Sequence, residues 1–71
     1  MTGLEKCCTF FKELALSHKV PAQMNVTREG IVRIHLDKSH MDETKMNEIV
    51  AQARRRGMRV DATQYWVTIY G

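Results

Sequence analysis

Seventy-one residues with 44% hydrophobic content and a net charge of +3 fit one small domain over 1–71 and leave no room for a second core. No run approaches the roughly 20 apolar residues that cross a bilayer, and no basic leader with an apolar stretch and a small-residue cleavage site opens the chain. A chain this short buries only about 60% of its unfolded surface, so a supported catalytic pocket is hard to build, and neither enzyme activity, cofactor, membrane contact nor small-molecule substrate is expected.

The chain opens Thr2-Gly3-Leu4-Glu5, a capping box in which the Thr2 hydroxyl takes the Glu5 backbone N–H. Leu4, Cys7, Cys8, Phe11, Leu14, Ala15 and His18 recur at helical spacing and predict one apolar stripe. Phe10 falls at its edge and Leu16 points away. The helix is expected from about Gly3 to His18, before Pro21 stops it and biases Val20 toward extended backbone. The adjacent Cys7 and Cys8 point in different directions and cannot staple distant segments. A reducing compartment, the cytoplasm, is the expected setting. Their place in the apolar stripe favours buried small hydrophobes over reactive thiols.

A hairpin follows. Ala22, Met24 and Val26 alternate with Gln23, Asn25 and Thr27, and Val32, Ile34 and Leu36 alternate with Ile31, Arg33 and His35. A two-residue turn at Glu29-Gly30 would pair Val26 with Arg33 and mix core with solvent. A three-residue loop with Gly30 left-handed pairs Val26 with Val32, Met24 with Ile34 and Ala22 with Leu36. A one-residue slip would invert the faces, so the second register is preferred.

The polar stretch Asp37-Lys38-Ser39-His40 leads to a second helix, with Ser39 its expected N-cap. His35, Asp37 and His40, with Asp42 and Glu43 nearby, are metal-ligand types. Their spacing matches no tight site, and the reading is solvated loop and cap residues, with no metal. Met46, Ile49, Val50 and Ala53 occupy i, i+3, i+4 and i+7 of the second helix. Gly57 is placed as its C′ residue, and Met58 packs back on Ala53.

Of the 11 basic residues, four are Arg54, Arg55, Arg56 and Arg59, and no acid interrupts that window. Without them, 7 basic groups would face 8 acidic ones. Cations at a helix C-terminus favour the macrodipole by about 0.3–1 kcal/mol each, which explains one or two arginines better than four. Arginine is also the side chain shaped for bidentate phosphate or carboxylate contact. These four are the candidate contacts to nucleic acid or to an acidic protein surface.

The remainder, Met58 to Tyr70, has strong β propensity and forms one bulged strand or a short hairpin. If Tyr65, Val67 and Ile69 face the helices, then Trp66, Thr68 and Tyr70 share the opposite face with Ile31, Arg33 and His35. Arg33, His35, Trp66 and Tyr70 would then form a surface suited to stacking bases or docking a protein. The alternative turns the strand over and buries Trp66, the usual place for a lone Trp in a small domain. The sequence leaves that choice open.

The elements predict an α+β two-layer sandwich of order α-β-β-α-β, the last strand single or split into a hairpin, with both helices on one face of an antiparallel sheet. The expected function is a non-catalytic binding module: a nucleic-acid-associated or regulatory protein acting through the arginine patch. The alternative is an inhibitor or adaptor that docks on a larger complex.

Overall fold

The computed structural model describes residues 2–71, the side chain of His40 excepted. Helix α1 (Gly3–Glu13) continues as a π-helical turn over Leu14–His18. Strands β1 (Ala22–Val26) and β2 (Val32–Asp37) follow, then a 3₁₀ turn over Lys38–His40, helix α2 (Glu43–Arg55) and strands β3 (Arg59–Ala62) and β4 (Trp66–Tyr70). The last segment is thus a hairpin, and the four antiparallel strands lie in the order β1-β2-β4-β3. Among the described residues no helix is long and apolar enough to cross a membrane.

The Thr2 hydroxyl accepts from Glu5 N–H at 3.1 Å, capping α1 as the sequence predicts. The helical segment ends at His18, after which Lys19 turns left-handed at φ 54° and Val20 N–H donates to the Leu14 carbonyl. The predicted stripe is rotated. Cys7, Phe10 and Leu14 are fully buried, while Phe11 is half-buried and Leu4 and Ala15 are exposed. Phe10 belongs to the core because the end of α2 covers its flank, with the Arg56 guanidinium 4.9 Å from the ring centroid. Leu16 is exposed, as expected.

The β1–β2 register pairs Val26 with Val32, Met24 with Ile34 and Ala22 with Leu36. Thr27 N–H donates to the Ile31 carbonyl and Gly30 N–H to the Thr27 carbonyl, closing a three-residue loop with Gly30 at φ 83°. Glycine tolerates that backbone without a Cβ clash. One inward residue escapes burial: Val26, at the end of an edge strand, is 58% exposed.

Helix α2 is capped by Asp42, whose carboxylate accepts from Lys45 N–H at 2.7 Å. Ser39 is therefore not its N-cap. It sits in the 3₁₀ turn, donating its backbone N–H and hydroxyl to Asp37. At the other end Gly57 N–H donates to the Arg54 carbonyl and Met58 N–H to that of Ala53. With Gly57 at φ 76°, this pair of bonds is a Schellman ending.

Cys7, Phe10 and Leu14 of the first helical segment, Ile49 and Ala53 of α2, and Val32, Ile34, Leu36, Val67 and Ile69 of the sheet join one buried cluster with Val20 and Met58. The strand residues in it alternate with outward ones. That periodicity sets which side chains are left for function.

Candidate functional site on the outer sheet face

With Val67 and Ile69 fully buried, Trp66, Thr68 and Tyr70 point away from the core. Trp66 retains 43% exposure, so the strand has the orientation that leaves the indole outside. Tyr65 does not join Val67 and Ile69. It lies in the β3–β4 turn and is exposed, because Thr63 accepts from Trp66 N–H through its hydroxyl and donates its own N–H to the Trp66 carbonyl. Regular alternation begins only at Trp66.

The register builds the outer face in rows. Asn25, Arg33, Tyr70 and Arg59 stand side by side across the four strands. Beside them run Gln23, His35, Thr68 and Asp61, and then Asp37 next to Trp66. Arg33, His35, Trp66 and Tyr70, singled out in the sequence, are thus brought onto one surface. The His35 and Trp66 rings meet edge to face, 6.3 Å between centroids at 88°, a favoured aromatic geometry. His35 Nδ1 and the Thr68 hydroxyl are hydrogen-bonded at 3.2 Å, which fixes the imidazole plane. Among the described residues, Arg33 Nε is the one buried side-chain nitrogen or oxygen without a hydrogen-bond partner.

The arginine cluster is divided among three environments. Arg59 leaves the helix and lies on the outer face, its guanidinium 4.5 Å from the Tyr70 ring centroid. Arg56 is half-buried, stacked over Phe10 and paired with Glu13. Arg54 and Arg55 are exposed at the end of α2. Arg59 follows on the strand after α2, as its sequence position predicts, and the alternation Arg59-Val60-Asp61 sets it on the outer face. Sequence reasoning passed over Gln23, Asn25 and Asp61, which the same alternation and register place on this surface.

The other candidates have structural partners. The Asp37 carboxylate caps the 3₁₀ turn and that of Asp42 caps α2, and the His40 side chain lies outside the described residues. Among the described residues no group of three His, Cys, Asp or Glu is placed to hold a metal ion. Cys7 is buried with its sulfur 3.9 Å from the Val32 carbonyl oxygen. Burial, and then the neighbouring Cys8, push its thiol above the ordinary range, which disfavours the nucleophilic thiolate.

Comparison with protein-family models, with curated proteins and with solved structures gives no significant match.

Proposed function

We propose that this protein is a non-catalytic binding module that takes single-stranded nucleic acid on its outer sheet face, with both helices covering the inner one. The observation that supports it most is the exposed Trp66, edge-packed by His35, on the surface that carries Arg33, Tyr70 and Arg59. A sheet face with an available indole suits an unpaired base, which stacks on an aromatic ring for about 1–3 kcal/mol. Bases inside a duplex offer no such face. Arg33 and Arg59 flank Tyr70 and supply phosphate contacts, while the exposed Arg54 and Arg55 at the end of α2 form a separate positive patch in the helix layer. A reducing, cytoplasmic setting is part of the proposal, supported by two free cysteines at adjacent positions.

A second reading, docking on another protein as an inhibitor or adaptor, has one observation in its favour. Asp37 and Asp61 lie in the rows beside the arginines on the outer face, and a mixed-charge surface with Trp and Tyr has the composition of a protein hot spot. Titration with labelled single-stranded oligonucleotides at low salt separates the two. Saturable binding that weakens in Trp66→Ala supports the first reading. Absence of binding by any oligonucleotide, with a stoichiometric protein retained by the wild type and lost by Trp66→Ala, supports the second.

A further inference from the structure

Two concavities flank the His35–Trp66 pair on the outer face. One, about 470 Å³, is lined by Gln23, Asn25, His35, Thr63, Trp66 and Thr68. The other, about 290 Å³, shares Gln23, His35 and Trp66 with it and runs on toward Pro21 and Asp37. The larger of the two is the open groove between the edge strand β1 and the indole.

Its two walls differ in chemistry. On the Trp66 side stands an aromatic surface. On the β1 side Gln23 and Asn25, two residues apart and therefore on one face of the strand, present exposed amides. Asparagine is a poor strand former, and neither amide closes a turn or caps a helix. An amide offers a donor and an acceptor side by side, the pattern that pairs with the edge of a nucleobase. His35, held through Nδ1 by Thr68, stands opposite Gln23 with Nε2 as its remaining polar atom.

Resting on the proposed function, we infer that this groove seats one unpaired base, stacked on Trp66, and that Gln23 and Asn25 read its edge. The protein then discriminates among bases as well as holding the strand. The arginine row acts equally on every sequence, because phosphate contacts carry no base information. Trp66 does the same, since every base has a stacking face.

The test measures affinity for labelled oligo(dA), oligo(dC) and oligo(dT), with circular dichroism confirming that each variant is folded. In the wild type the best and worst oligomers should differ by about 5- to 150-fold, the range of one good bidentate base contact. Gln23→Ala with Asn25→Ala should bring the three affinities together, whereas Trp66→Ala should lower all three by a similar factor. Gln23→Glu with Asn25→Asp keeps the shape and removes the donors. It should raise the preference for oligo(dA) and oligo(dC), whose exocyclic amino groups donate, over oligo(dT). Equal affinities in the wild type, or ratios that survive both amide replacements, would overturn the inference while leaving Trp66-dependent binding intact. If no oligomer binds, the inference falls together with the proposed function.

Discussion

Truncating Phe10 tests the helical phase that separates core from surface. Its side chain is 0% exposed, packed in the cluster with Cys7 and Leu14 and covered by Arg56. Phe→Ala at such a site costs about 3–5 kcal/mol through lost burial and the cavity left behind. A chain of this length has a stability of about 4–11 kcal/mol, so Phe10→Ala removes a large share of it. The adjacent Phe11 is half-buried. It carries about half of the 1.5–3 kcal/mol that full burial gives, and Phe11→Ala should cost about 1 kcal/mol. Urea unfolding followed by far-ultraviolet circular dichroism reads both. With a slope near 1 kcal/mol per molar, the midpoint should fall by about 3–5 M for Phe10→Ala and by about 1 M for Phe11→Ala. Equal losses, or a larger loss at Phe11, would refute the burial pattern and return the helix to the phase its sequence suggests.

At Gly30 an added Cβ would meet no atom within 4 Å, so the cost of Gly30→Val is backbone conformation alone, about 1–2 kcal/mol. Glu29→Ala should stay within about 0.5 kcal/mol, and equal effects in urea would remove the left-handed turn. Asp42→Ala should cost about 1 kcal/mol by deleting the α2 cap, whereas Ser39→Ala should cost less in the same assay. Because burial raises the Cys7 pKa, the folded state holds that proton more tightly than the unfolded chain. The resulting stability is fully present below the unfolded thiol pKa, ordinarily 9.0, and is lost as pH rises through the folded value. Wild type minus Cys7→Ala should therefore lose stability above about pH 9, and iodoacetamide should label Cys8 before Cys7 in the native protein.

Local patterns carried most of the fold. The hairpin register, the Thr2 cap and the Gly57 ending were legible because each rests on residues within a few positions of one another. The phase of α1 was not, because two overlapping stripes share Cys7 and Leu14. Only the approach of α2, with Arg56 over Phe10, decides between them. Ser39 and Asp42 were confused because either side chain can cap, and the 3₁₀ turn engages the first. Arg33, His35, Trp66 and Tyr70 could be nominated by alternation once a strand orientation was assumed. The burial of Val67 and Ile69 is what selects that orientation. The division of the arginines, with Arg56 tied to Glu13 and Arg59 over Tyr70, depends on partners 43 residues and one strand away. Charge clustering along the chain does not encode it.

The most direct measurement is Trp66 fluorescence during titration with oligo(dT) over a range of salt concentrations. We expect saturable quenching of an indole that is already solvent-accessible. If Arg33 and Arg59 each neutralise one phosphate, log affinity should fall against log salt with a slope of about −1.4. Trp66→Ala, tested by anisotropy with a labelled strand, should keep its circular dichroism and lose about 5- to 150-fold in affinity. An indole that is shielded from quencher, unresponsive to oligonucleotide at low salt, and whose removal leaves strand affinity unchanged would contradict the assignment of the outer face.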